Sequence, residues 1–228
     1  MKIAILSFPG SSCDVDLLQA VNRVAGGTAE IVWHHDAVLK DFDAVLIPTG
    51  ASYGDYLRPG ALAQSSRAIE ELKGFAQNGK TVLGVGNGFQ ILVEAGLLPG
   101  AFLKNKSLKF RSGKTEVIVE NASTIFTSEY EMGQQITLPF AHAYGNYFVD
   151  LQTVQELKRN HRIVFSYVDS NTNGSTESIA GVLNERGNVL GMMPLPERAV
   201  EEMIGGIDGL PLFQSILKSG SESNVSHA

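Results

Sequence analysis

Thr81-Val82-Leu83-Gly84-Val85-Gly86-Asn87-Gly88-Phe89-Gln90-Ile91-Leu92 is the stretch on which the reading of this chain turns. An apolar strand, Thr81–Val85, enters a turn with glycine at alternate positions and leaves as a helix. That is the shape of a nucleophile elbow, in which a sharp strand-to-helix turn holds one side chain at the carboxyl edge of a sheet. Flanking glycines let backbone approach backbone, and the N–H groups that follow face the target of attack as an oxyanion hole. The central position of such an elbow should be Ser or Cys. Here it is Gly86, which has no side chain and cannot attack anything.

Outward from the elbow, the first half alternates strand and helix. Lys2–Phe8 is an apolar run that ends at Pro9-Gly10, and it reads as a first strand rather than a signal peptide. Asp14–Ala25 places Val15, Leu18, Val21 and Val24 at helical spacing, with Asp14 and Asp16 in its first turn. Ala29–Trp33 and Ala44–Ile47 are the next strands, and a helix over Ala61–Gln77 leads through Asn78-Gly79 back to Thr81. Short apolar strands alternating with helices predict an α/β fold, a mostly parallel central sheet with helices on both faces.

The second half changes character. Glu116–Glu120, Gln135–Leu138, Ile163–Tyr167, Ile179–Leu183 and Val189–Met193 are short β-branched runs, separated by turns such as Asn171–Gly174 and Glu185–Asn188. Helices over Glu197–Met203 and Leu210–Leu217 close the domain. The expected organisation is one domain over 1–218 and a small, polar, disordered tail over 219–228, with no repeat and no linker.

Composition narrows the function. A net charge of −6 argues against a protein whose main business is nucleic acid, and the basic cluster Lys104, Lys106, Lys109 and Arg111 reads as a solvated loop. Nothing approaches the length of a membrane span. Cys13 is the single cysteine, which leaves no internal disulfide and no thiolate metal cluster; no metal and no cofactor is expected, and the cytoplasm is the default compartment. Asn173-Gly174-Ser175 matches a glycosylation sequon but reads as a turn.

Two further segments belong with the elbow. Leu46-Ile47-Pro48-Thr49-Gly50-Ala51 follows a strand at the same sheet edge, where Gly50 either offers a second oxyanion donor or simply makes the corner. Val189–Met193 runs into Pro194-Leu195-Pro196-Glu197. Glu197 reads either as a first-turn acid or as an acid that once oriented a histidine two residues earlier, where Leu195 now stands.

With these segments in hand, the chain resembles the class I (triad) glutamine amidotransferases, closest to the glutaminase subunits of phosphoribosylformylglycinamidine synthase in purine synthesis. The most specific stretches are Phe8–Asp14, Ser52–Arg58, Asn87–Leu92, Leu97–Gly100, Ser107–Phe110, Ile179–Gly181 and Asn184–Pro194. The resemblance implies a flavodoxin-like fold and a triad of elbow Cys, His and Glu. In it the Cys attacks the glutamine side-chain amide, the His shuttles the proton, and the ammonia set free goes to a synthetase subunit. Residue by residue, the Cys position is Gly86, the His position is Leu195 and the Glu position is Glu197. The resemblance assigns Gly50, Asn87, Gln90 and His142 to the oxyanion and glutamine pocket.

Other departures cluster nearby. The oxyanion turn Pro-Gly-Gly reads Pro48-Thr49-Gly50, a Cys after Arg58 reads Pro59, and a His-Gly-Glu-Gly-Asn motif reads His142-Ala143-Tyr144-Gly145-Asn146. Thr49 and Tyr144 add bulk around a pocket meant for a small amino acid, which weighs against glutamine binding. Cys13 matches a second, structural cysteine of the family, and neither Ser52 nor His142 has a visible partner that would make it a substitute. Three functions follow as expectations. The preferred one is a catalytically inactive docking or regulatory scaffold for the purine-pathway synthetase. The others are a glutaminase with unrecognised or deliberately removed chemistry, and a small-ligand binder or enzyme in a pocket made roomier by Gly86 and more apolar by Leu195.

Overall fold

The computed structural model describes residues 1–168 and 173–225. Nine strands form one sheet in the order β2-β1-β3-β4-β11-β10-β9-β6-β7. They are β1 (Lys2–Ser7), β2 (Thr28–Trp33), β3 (Ala44–Ile47), β4 (Thr81–Val85), β6 (Arg111–Val119), β7 (Gln135–His142), β9 (Ile163–Tyr167), β10 (Ile179–Leu183) and β11 (Val189–Met192). From β2 to β11 every pairing is parallel; from β11 to β7 every pairing is antiparallel. Two short strands that the sequence reading does not contain, β5 (Ala101–Leu103) and β8 (Asn146–Phe148), pair as a separate ribbon.

The alternation of side chains along β1 shows why the sheet is covered on both faces. Ala4 and Leu6 enter one core with Ile69, Leu72 and Phe75 of α2 (Arg67–Gln77), Phe89 and Leu92 of α3 (Asn87–Glu94), and Val154 and Leu157 of α4 (Leu151–Arg159). Ile3 and Ile5 enter the other, with Leu17 of α1 (Asp14–Gln19) and Leu212, Phe213 and Ile216 of α5 (Leu210–Val225). The inner strands of the parallel half, β1, β3, β4 and β11, are buried on both sides, as their apolar runs require, while the edge strand β2 is largely exposed.

Four local readings change. The expected helix Ala61–Gln77 is broken at Ser66, whose extended backbone (ψ 149°) separates a 3₁₀ turn, Ala63–Ser65, from α2. Glu197–Met203 is not a helix: only a 3₁₀ turn, Pro196–Arg198, forms there. The chain then folds back on itself, because Gly205 packs so closely that a side chain would meet the Arg198 carbonyl oxygen at 2.1 Å. The tail is not disordered from residue 219, since α5 continues past Leu217 to Val225; no proline stops it, and Gly220 lies against Met1. Residues 226–228 of that expected tail lie outside the described residues, as do 171 and 172 of the Asn171–Gly174 turn. Helix α4 was legible and missed: Asp150 caps it by accepting the Thr153 N–H at 2.7 Å, and Val154 and Leu157 follow at helical spacing. Asn173 of the sequon is buried and donates to the Tyr167 hydroxyl at 2.9 Å, a structural turn with no room for a glycan.

Candidate functional site

The elbow forms as the sequence implies. Gly86 joins β4 to α3 with φ 55° and ψ −110°, a backbone that L residues adopt only under strain. Gly88 lets the first turn of α3 ride on the end of β3, for a side chain there would stand 2.2 Å from the Ile47 carbonyl oxygen. The corner that follows β3, Pro48-Thr49-Gly50, is thereby pressed against the elbow. Its own position is held by the Ser12 N–H, which donates to the Thr49 carbonyl at 3.0 Å, and by the Ala51 N–H, which donates to the Gly10 carbonyl at 2.9 Å.

Thr49 occupies the place where a nucleophile would stand. A Cβ built on Gly86 would lie 2.2 Å from Thr49 Oγ1 and 2.7 Å from Thr49 Cβ, and 3.4 Å from Leu195 Cδ2. The first two distances are far inside contact; the third is ordinary packing. The Thr49 hydroxyl also accepts the Asn87 N–H at 3.3 Å. Asn87 follows the elbow residue, so its N–H is the donor that would serve an oxyanion. Thr49 therefore fills the nucleophile's space and takes up the donor at once. Gly86, Thr49, Asn87 and Leu195 are all buried. The expectation that Gly86 leaves the elbow roomier is overturned: the space is filled by Thr49 from the corner after β3.

The side chains beyond the elbow lock the loops around it. Asn87 Oδ1 accepts the Ser52 N–H at 3.0 Å, and Asn87 Nδ2 donates to Gln90 Oε1 at 2.8 Å. Gln90 Nε2 in turn donates to the Tyr144 carbonyl at 2.6 Å. The Ser52–Arg58 loop is fastened to α3 a second time by a two-pronged Arg58–Glu94 ion pair, both contacts at 2.7 Å. Gly50 makes a bridge to Ser11.

Leu195 follows β11 and is fixed by its N–H, which donates to the Pro139 carbonyl at 2.8 Å. Two residues on, Glu197 is 3 % exposed, and neither carboxylate oxygen has a hydrogen-bond partner of normal geometry. Burial pushes its carboxyl up to about 8; its own backbone N–H offsets part of this, Asp16 adds to it and Arg198 opposes it. At neutral pH the group is mostly a neutral acid. Cys13 lies in the same neighbourhood, and burial, followed by the charge of Glu197, pushes its thiol up to about 12. A protonated, buried thiol is not a nucleophile.

His142, at the end of β7, belongs to a structural cluster. Its Nδ1 is 3.0 Å from Asn105 Oδ1, which also accepts the Gly145 N–H at 2.8 Å. Burial lowers the ring to about 4, so it is neutral. The structure thus brings Gly86, Thr49, Asn87 and Leu195 into one packed unit and links Gln90 to it. Gly50 lines the adjoining corner, while the contacts of His142 are to Asn105 and Gly145. The sequence pointed to Thr49 only as added bulk. Its hydrogen bond with the Asn87 N–H joins positions 38 apart in the chain, which no local pattern reveals.

The sequence matches the family described as the CobB/CobQ-like glutamine amidotransferase domain over residues 1–206. The chain belongs to the glutamine amidotransferase family. Among solved structures it is similar to a chain in the structure of PurLQS from Thermotoga maritima, with 46 % identity and a TM-score of 0.88 over 96 % of this chain and 98 % of that one. This places it in the class I amidotransferases, close to PurQ. A Thermoplasma acidophilum protein named as a GMP synthase subunit shares the fold, with a TM-score of 0.69 at 16 % identity over 100 % of this chain and 97 % of that one. Within the amidotransferase fold, the elbow, the corner after β3 and the turn after β11 meet at the carboxyl edge of the parallel strands, where such folds bind ligands. Among the described residues no helix is long and apolar enough to cross a membrane.

Proposed function

We propose that this amidotransferase-family chain does not hydrolyse glutamine and serves as a docking or regulatory subunit for a synthetase of purine synthesis. The observation that carries the first half is Thr49. Its side chain stands where a nucleophile would project and its hydroxyl accepts the Asn87 N–H. Gly86 supplies no attacking atom, Leu195 can take no proton, and Glu197 has nothing to orient. Triad members act as a unit, so losing both leaves little beyond binding and oxyanion stabilisation. Here even the oxyanion donor is engaged by Thr49.

The docking half rests on the similarity to a PurLQS chain across almost the whole length. It is also supported by exposed apolar residues, Tyr56 and Leu57 in one family-like segment and Leu108 and Phe110 in another. A cytoplasmic setting belongs to the same proposal. The close fit of Thr49 and Leu195 around Gly86 favours co-adapted packing over deliberate removal of a nucleophile from a working site. It also disfavours a new ligand in the old pocket, whose volume is filled.

Ammonia release from glutamine is the test, with the purified chain alone and with the synthetase subunit added. The expected rate equals the buffer blank, and a rate above it overturns the proposal. Gly86→Cys with Leu195→His should remain silent because Thr49 still blocks the thiol. Adding Thr49→Gly is the change that should allow turnover. For the docking half, co-purification with the synthetase subunit is expected, and its absence would count against that role.

A further inference from the structure

Between Glu94 and Glu116 the chain has five cations, Lys104, Lys106, Lys109, Arg111 and Lys114, and no carboxylate, although its overall charge is −6. All five are exposed, and none forms an ion pair among the described residues. Lys104 lies 5.9 Å from the centre of the Tyr144 ring, and Lys114 Nζ donates to the Gly205 carbonyl at 3.2 Å. Apolar side chains are interleaved with these cations: Leu103 is 48 % exposed, Leu108 77 % and Phe110 63 %. Leu103 shares the outer face of the β5–β8 ribbon with the exposed Phe148, while Phe102 and Tyr147 fill the inner face.

The loop that follows Leu103 is built around one buried side chain. Asn105 Nδ2 donates to the Lys109 carbonyl at 2.9 Å and to the His142 carbonyl at 2.8 Å, and Asn105 Oδ1 accepts the Gly145 N–H at 2.8 Å. The Lys106 N–H donates to the Asn173 carbonyl at 2.9 Å, which ties the loop to a second segment. The Leu108 N–H donates to the Asn105 carbonyl at 2.7 Å and closes a turn in which Leu108 takes a left-handed backbone, φ 57°. Leucine is strained there, since its Cβ crowds the backbone that glycine or asparagine tolerates. A buried polar anchor and a strained backbone thus fix an apolar side chain where it adds nothing to the core. A solvated loop needs neither.

We propose that Leu103–Lys114 is the surface on which the synthetase subunit docks, through an acidic rim around an apolar pocket that receives Leu108. This assignment rests on the docking half of the proposed function and selects one surface for it. Interfaces between proteins place a few apolar anchors at the centre and polar groups at the rim, and this segment alternates the two. Five cations without a carboxylate favour a counter-surface of opposite sign, which steers the encounter. A leucine already held in place loses little freedom on binding. Nucleic acid and an anionic membrane are disfavoured, because the −6 of the whole chain opposes a long polyanion and phosphates offer Leu108 and Phe110 no apolar partner.

The test is binding of the purified synthetase subunit, followed by calorimetry and by association and dissociation rates at low and high potassium chloride. Leu108→Asn keeps a residue that tolerates the left-handed backbone, and it should weaken binding roughly tenfold or more at both salt levels through faster dissociation. Lys106→Glu with Lys109→Glu should slow association at low salt, and the effect should shrink at high salt. Circular dichroism checks that the variants remain folded. If the unaltered chain does not bind the synthetase subunit, the docking reading itself fails and this assignment with it. If it binds and these variants bind as tightly, or if Tyr56→Ser with Leu57→Ser carries the loss instead, docking stands and this surface is wrong. Tighter binding of a single-stranded oligonucleotide or of phosphatidylserine vesicles than of the synthetase subunit, abolished by the two lysine reversals, would also overturn it.

Discussion

Replacing Gly86 by cysteine alone should destabilise the protein, and removing Thr49 should relieve most of the damage. Two costs act on Gly86→Cys. The first is conformational: φ 55° with ψ −110° is a region that costs an L residue about 1–3 kcal/mol. The second is steric, since the new Cβ would stand 2.2 Å from Thr49 Oγ1 and 2.7 Å from Thr49 Cβ. The hydroxyl can rotate away only by giving up the Asn87 N–H, and the Thr49 Cβ is fixed to the backbone of the corner after β3, which the Ser12 N–H holds at the Thr49 carbonyl. Overpacking of this kind costs about 1–3 kcal/mol. Together the single variant should lose roughly 2–6 kcal/mol, a large share of the 5–15 kcal/mol that holds an ordinary domain. Thr49→Gly carries its own cost from lost packing and a freer unfolded chain, but that cost is independent of residue 86. In the double variant the steric part disappears and the conformational part stays. Urea denaturation of the unaltered chain, both single variants and the double variant gives the coupling directly. It should favour the double variant by about 1–3 kcal/mol. Additive behaviour within about 0.5 kcal/mol would mean that Thr49 does not occupy the nucleophile's space, and the account of the filled elbow would fail.

Two titrations should be visible in stability. Glu197 has a folded pKa of about 8 against an ordinary 4.5, so the folded chain holds the proton more tightly than the unfolded chain. Its contribution is full below pH 4.5 and is lost as pH rises toward 8, with an upper limit of roughly 5 kcal/mol. Glu197→Gln should flatten that part of the profile in denaturation series at pH 5.5 and pH 9; an unchanged slope would show that the carboxyl is solvated or paired. His142 has the opposite sign. Its ring falls from 6.5 to about 4, so its contribution is present above pH 6.5 and is lost as pH drops toward 4, by roughly 3 kcal/mol. His142→Asn should make the protein less sensitive to acid across that window, and equal acid sensitivity would place His142 in a more open environment.

Much of the architecture can be read before any coordinates. The inner strands β3, β4 and β11 are unbroken apolar runs because both faces are covered, and the elbow glycines suit a turn that a bulkier residue would strain. The fate of the triad positions is legible too, because Gly86 and Leu195 lack chemistry in any fold. What failed were places where distant contacts override local preference. Glu197–Met203 looks helical by composition, but Gly205 closes on the Arg198 carbonyl and turns the chain back. Ser66 sits inside an apparently continuous helix, yet its extended backbone starts a new one.

The sequence by itself determined the family, the layered α/β plan and the absence of a side chain at the elbow, since these depend on residue type and short-range spacing. Only the tertiary structure decided that the elbow is filled rather than empty. Strands β3 and β4 lie side by side, and Gly88 draws α3 onto the end of β3. Thr49 is thereby carried into the volume above Gly86, with its hydroxyl against the Asn87 N–H. The Cβ of Thr49 is set by the backbone of the corner after β3, so rotation of its side chain moves the hydroxyl but not the Cβ out of that volume. The consequence of Gly86 therefore depends on a residue 38 positions from the donor it engages, brought there by strand pairing.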